Sequence, residues 1–257
     1  MNAAGDTARA AAWKALNERR STNGGYAEWH RPHGRNRPGK WMPKITDLEP
    51  CVRGYHVCDN HTDMLSWLGP DIWVCEWRGL SVRSSSKRVV EQARLIRHAD
   101  RWNEQSARLF AADCAEHVLP FWEARFDDDK PALAIAAARA YSRGEIGLAE
   151  LDAAGAATRA AAEDAAWDAT WAAARAAAWA ATRAATRDGA WAAAKDAAKN
   201  ATRAAARAAA RDAARAAAGN AAGNATWGAA WAAARDAARD AERVWQAEQL
   251  RDLIGDL

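Results

Sequence analysis

Asp168 to Lys199 reads DATW-AAAR-AAAW-AATR-AATR-DGAW-AAAK-DAAK, a four-residue unit in which one large residue stands among small ones. The unit recurs from Gly155 to Arg243. Its large position is held by Arg159, Glu163, Trp167, Trp171, Arg175, Trp179, Arg183, Arg187 and Trp191, then by a basic run from Lys195 and Lys199 through Arg203, Arg207, Arg211 and Arg215. After Gly219 and Gly223 it passes to Trp227, Trp231, Arg235, Arg239 and Arg243. Alanine is the best helix former, so the segment reads as a helical array. A period of four outruns the helical turn of about 3.6 residues, each unit turns the large residue by roughly 40°, and no straight stripe of Trp or Arg results. A single helix would expose Trp on every side. The array is therefore expected to break and fold back, weakly at Gly189 and strongly at Gly219-Asn220, Gly223-Asn224 and Gly228. Ala-lined helices packed antiparallel, with closely approaching axes, are the expected result.

The array holds no side chain suited to covalent chemistry, so it can pack, bind or space. Fifteen tryptophans and a modest set of Leu, Ile and Val must supply the apolar core, because alanine buries little area. A formal charge of +3, from 36 basic and 33 acidic residues, argues against a strong electrostatic nucleic-acid binder. The basic run Lys195 to Arg215, including Arg203, Arg207 and Arg211, is spread by the 40° drift; it reads as a solvated face, with a weak nucleic-acid groove as the alternative. Four cysteines without a secretory signal or a charge-free 18-residue apolar run point to reduced thiols, a cytoplasmic location and no membrane span.

Before the array the composition is mixed. Asp6 to Arg20 (DTARAAAWKALNERR) reads as a short helix capped by Asp6 or Thr7. From Tyr26 to Pro43, Gly and Pro punctuate Tyr26, Trp29 and Trp41, which suits loops and short strands. Tyr55 to Cys58 is an extended candidate, Asp63 to Leu68 a helical turn or two, and Ile72 to Trp77 (IWVCEW) a strand. Lys87 to Ala99 (KRVVEQARLIRHA) follows a Ser84-Ser85-Ser86 loop and reads as an amphipathic helix. A longer helix is expected from Asn103 to Phe126 with a kink at Pro120, and another after Asp127 to Pro131, ending at Gly144.

Two groupings could carry chemistry. Cys51, His56, Cys58 and His61 are metal-ligand types at close spacing, although the spacing matches no zinc finger or ribbon; buried thiols and a hydrogen-bonded histidine are the other reading. Asp113 and His117 lie one helical turn apart beside Glu116, which serves a base-orienting pair or a helix ion pair. No P-loop, Gly-x-Gly-x-x-Gly, Gly-x-Ser-x-Gly or His-Glu-x-x-His occurs, so no catalytic residue is assigned and no cofactor is expected.

The landmarks Pro50-Cys51-Val52-Arg53-Gly54-Tyr55-His56-Val57-Cys58, Leu65 to Pro70, Glu76-Trp77-Arg78-Gly79 and Lys87 to Val90 resemble a domain of unknown function found in phage and actinobacterial proteins, over about residues 24–100. That layout is distantly similar to ADP-ribosyltransferase-like domains, which would imply an NAD-using domain around Gly54, Tyr55, His56 and Glu76. Ala111 to Leu119, Asp127 to Pro131, Ala134 to Tyr141 and Gly144-Glu145-Ile146 resemble the helical putative immunity protein family linked to bacterial polymorphic toxin systems, over about residues 106–166. The second resemblance implies an all-helical, Ala-rich module that acts by binding a protein partner, with a toxin as the favoured one, and offers no catalytic residue.

The expected fold class is α+β. An N-terminal helix (residues 1–23) precedes a small α+β domain (24–100), a helical hairpin (101–150) and Ala-rich repeat helices (151–250). The expected function is non-enzymatic protein binding in the cytoplasm, with Trp167, Trp171, Trp227, Trp231, Arg203, Arg207 and Arg211 as candidate contact residues.

Overall fold

A computed structural model describes residues 10–22, 25–34, 37–124, 126–164, 187–218 and 224–257; side chains of 159, 161–164, 187–189, 215–218 and 224–231 lie outside the description. The protein is α+β, and its contacts divide it into two compact units, Met1–Asn103 with Leu250–Leu257, and Glu104–Gln249.

The first unit is built on β1 (Ala10–Asn17), β2 (Arg20–Ser21), β3 (Tyr55–Val57), β4 (Asp71–Ser84) and β5 (Lys87–His98), with the short helix α1 (His61–Met64) after β3. All pairings are antiparallel, in the order β2-β1-β4-β5-β3. The sheet curls until its ends meet: Trp13 N–H donates to Cys58 O at 2.7 Å and Cys58 N–H returns to Trp13 O at 2.8 Å, so the chain just past β3 closes against β1. Inside lie Ala12, Leu16, Trp29, Tyr55, Val57, Trp73, Cys75, Val90, Ala93 and Leu95. The Gly- and Pro-rich stretch before β3 runs along β5, donating from Gly39, Met42 and Ile45 to Leu95, Ala93 and Glu91. This agrees with the loops and short extended pieces its composition implies.

Two helices expected from the sequence are strands. The N-terminal helix of residues 1–23 is replaced over Ala10–Asn17 by β1, which pairs with β4 from Ala10↔Trp77 to Leu16↔Asp71 and so belongs to the same sheet as residues 55–98. Alanine's helix preference is worth a few tenths of a kcal/mol per residue, and burying both faces of β1 outweighs it. Trp13 is fully buried. Lys87 to Ala99 is likewise β5, joined to β4 by a two-residue hairpin with Ser84↔Lys87 as its last pair. Strand β4 runs to Ser84, well past the expected Trp77, with bulges at Val74/Cys75 and Arg78/Ser81 that let it curl.

The second unit is helical: α2 (Glu104–His117), α3 (Pro120–Glu123), α4 (Lys130–Ser142), α5 (Leu148–Asp164), α6 (Arg187–Ala218) and α7 (Asn224–Ile254), the last turn of which falls in the first unit. The single long helix expected over 103–126 is broken, not kinked, because Pro120 opens α3 as a separate element. Helix α4 starts with Pro131 in its first turn while the Asp128 carboxylate accepts the Lys130 N–H at 3.0 Å, as the acidic stretch before it implies. In α6 the buried residues include Ala190, Ala194, Ala197, Ala201 and Ala204, spaced as a helical stripe, so alanines form most of the contact face, with Trp191 the large residue buried beside them. Of the expected breaks, Gly219-Asn220 and Gly223 lie outside the described residues, with helix on both sides of them, whereas Gly189 falls inside α6 and Gly228 inside α7, where neither glycine interrupts the helix.

Candidate functional site

Strand β1 and the segment after β3 enclose a cavity of about 260 Å³ in the first unit. Lys14 points into it from β1. Its ammonium donates to Ser21 Oγ (2.7 Å) and His56 O (2.9 Å), and burial pulls its pKa down to about 8. Lys87, the first residue of β5, donates to Cys51 Sγ at 3.1 Å and lies 4.5 Å from the Trp67 ring centroid. His56 Nε2 accepts the Cys51 N–H at 3.0 Å, which requires a neutral ring; burial first, then Lys87 and Lys14, lower its pKa to about 4. Cys51 sits at φ +69°, a conformation a non-glycine residue holds only where its surroundings insist.

The four candidate metal ligands are not gathered on one point. Cys51 and His56 meet, but through the backbone N–H, while the Cys51 thiol faces Lys87. Cys58 is buried, which pushes its thiol up to about 12. His61 donates from Nε2 to Gly255 O at 2.8 Å and packs its ring 5.3 Å from Trp13. Among the described residues no group of three His, Cys, Asp or Glu side chains is placed to hold a metal ion. The residues behind the NAD-using alternative are also dispersed. Tyr55 is in the core with its hydroxyl on Pro43 O, His56 lines the cavity, and Glu76 is paired with Arg94 at 2.7 Å.

Lys14, Lys87 and Trp13 were not legible as site residues, because both of their strands read as helices. The signal was present in β5, where Gln92, Ala93, Arg94 and Leu95 alternate polar and apolar.

In the second unit the Asp113–His117 pair is not formed. Asp113 and Glu116 both hold Arg139 of α4, at 2.6 Å each, which lowers the Glu116 carboxyl and raises Arg139. His117 stacks on Trp245 with centroids 3.8 Å apart and donates from Nδ1 to Glu242 Oε2 at 2.8 Å. Glu242 Oε1 accepts from Gln246 Nε2, which also donates to Ala198 O on α6. These polar groups fasten α2, α4, α6 and α7 together. A shallower depression of about 370 Å³ is lined by Leu119, Glu123, Phe126 and Asp127 to Asp129, next to the exposed Leu133.

Of the expected contact residues, Trp167 and Trp171 lie outside the described residues, as do the side chains of Trp227 and Trp231, whose backbones are in α7. Arg203 is exposed on α6 and reaches Asn200 Oδ1 at 3.4 Å; Arg207 and Arg211 are half-buried and have partners of their own. The basic run is therefore not one continuous face. No described helix is long and apolar enough to cross a membrane.

No curated protein and no solved structure matches the chain. Residues 97–191, from the end of β5 through α2 to α5 and into the start of α6, match the family model of the Imm-5 like putative immunity protein, and over that stretch the chain is similar to immunity proteins.

Proposed function

We propose that this chain is a non-enzymatic immunity-type protein that acts in the cytoplasm by binding and masking a partner protein, a toxin of a bacterial polymorphic toxin system. The observation that carries the reading is the family match over residues 97–191, which takes in helices α2 to α5 of the second unit. The chemistry of those helices is consistent with it. Asp113, Glu116, His117 and Arg139, the groups most able to act as acid, base or ligand there, are engaged in holding helices together. What the unit offers a partner is surface.

We place the contact on the edge around Glu123, Phe126, Asp127 and Asp129, where exposed carboxylates flank partly buried and exposed apolar side chains, with the Trp-bearing part of α7 as the other contributor. A partner with a basic rim would fit it. The test is co-expression with toxin domains encoded beside this chain, reading growth rescue and a stoichiometric complex by gel filtration. Charge reversal at Glu123, Asp127 and Asp129, or Trp227→Ala with Trp231→Ala, should weaken the complex by about ten-fold or more. A purified pair that forms no complex, or rescue without binding, would sink the reading.

A further inference from the structure

The geometry points to a ligand site in the first unit: the cavity beside Lys14 and Lys87 takes a small organic anion, one carboxylate or phosphate group on a flat apolar body. The argument begins with charge. Lys14 is 5% exposed and Lys87 9%, and among the described residues neither forms an ion pair. Buried ammonium groups are ordinarily matched by a carboxylate. Burial is the main influence on Lys14; its other neighbours are the Cys58 and Cys75 thiols, which burial keeps protonated, and Lys87, with no carboxylate among them. His56, lowered first by burial, is lowered further by both lysines, which places them around one space. No carboxylate therefore matches either cation, and the empty space lies against both of them.

The donors left over suit an oxyanion. Lys14 has two of its three N–H groups committed and Lys87 one, with the Trp29 and Trp67 rings respectively giving each partial compensation. Unmatched buried donors are rare and call for an explanation. A bound oxyanion would engage both ammonium groups at once. The walls contributed by Trp13, Trp67 and Val57 are apolar and aromatic, which fits a ring or short hydrocarbon behind the charged head. At about 260 Å³ the space falls just below the usual range of drug-sized pockets, which limits the ligand to about one ring.

The experiment is calorimetric titration of the full chain with benzoate, phenyl phosphate, inorganic phosphate and, as the uncharged control, benzyl alcohol. Benzoate or phenyl phosphate should saturate, weaken with added salt, and slow alkylation of the exposed Cys51 thiol at the cavity. Lys87→Met, checked by thermal melting for a native fold, should bind about ten-fold more weakly or worse; Lys14→Met serves as the second variant. Preference for phenyl phosphate over benzoate, or the reverse, identifies the head group, and inorganic phosphate alone shows whether the apolar body contributes. The proposal is overturned if neither aromatic anion saturates on the folded chain at about 10 mM, if benzyl alcohol binds as well as they do, or if both folded lysine variants bind as wild type. None of these outcomes bears on the toxin complex, which is read separately.

Discussion

The Nε2 atom of His56 accepts a hydrogen bond from the backbone N–H of Cys51 at 3.0 Å, and this contact holds Cys51 in its left-handed conformation. An acceptor nitrogen has to stay unprotonated. An unfolded imidazole titrates near 6.5, whereas burial and the two lysines hold this one at about 4. Between those values the unfolded chain takes up a proton that the folded chain refuses, so stability is lost as pH falls through the window. His98, raised by Asp71 and Asp100, contributes with the opposite sign and must be separated. The comparison of wild type with His56→Gln, which keeps an acceptor but cannot titrate, does so. The melting temperature of wild type should drop more steeply than that of the variant between about pH 6.5 and pH 4.

In the second unit Gln246 is 1% exposed and uses both ends of its amide: Nε2 donates to Ala198 O and Glu242 Oε1, and Oε1 accepts from Thr202 at 3.3 Å. Gln246→Leu preserves much of the volume and strands these partners in a buried site. We expect a loss of about 2 kcal/mol, measured as a lower urea midpoint with unchanged slope. A neutral outcome would mean that water reaches Glu242.

What could be read from the sequence tracks where local chemistry and tertiary packing agree. The strand over Ile72–Trp77 is rich in β-branched and aromatic residues, the helix after Pro131 has its proline in the first turn, and the array is rich in alanine, the best helix former. Strands β1 and β5 do not. Ala10 to Asn17 is helix-forming by composition and becomes extended only because β4 lies alongside it, and Val89-Val90 imitates a helical face by interrupting the alternation that resumes at Gln92. Because the cavity's lysines sit on those two strands, local sequence patterns do not reveal the site. The cysteines and histidines nearby were visible as residue types, but only the pairing of β1 with the chain after β3 sets Cys51 and His56 against Lys14 and Lys87.

Gly54 precedes β3 at φ +117°, and a Cβ there would stand 2.4 Å from Val89 Cγ1 and 3.0 Å from Leu48 Cδ2. Gly54→Ala therefore combines backbone strain with overlap in a packed interior, and should cost about 2–4 kcal/mol. Gly144, at φ +74° just beyond α4, meets nothing within 4 Å. Gly144→Ala should cost about 1 kcal/mol, from the left-handed backbone alone. Urea unfolding of the pair checks the ranking, and equal costs would refute the close approach at Val89.

Lys14 gives the remaining prediction. With no anion bound, its ammonium is carried in the folded state against the pull of burial, which lowers its pKa to about 8 from 10.5. Below pH 8 both states hold the proton and the folded chain bears the full desolvation cost. From pH 8 upward the folded chain releases the proton first, so the lysine's contribution to stability rises with pH until the unfolded side chain also titrates. Cys58 and Cys75 act in the opposite direction, because burial raises both thiols and the unfolded chain loses those protons first. The lysine is isolated by subtracting the stability curve of Lys14→Met from that of wild type. At neutral pH the variant should be more stable by about 1–2 kcal/mol, after allowing for the lost bonds to Ser21 Oγ and His56 O. That advantage should shrink as pH rises from about 8 to about 10. A variant less stable than wild type at neutral pH would mean that the hydrogen bonds outweigh the buried charge, and that Lys14 serves the fold rather than a ligand.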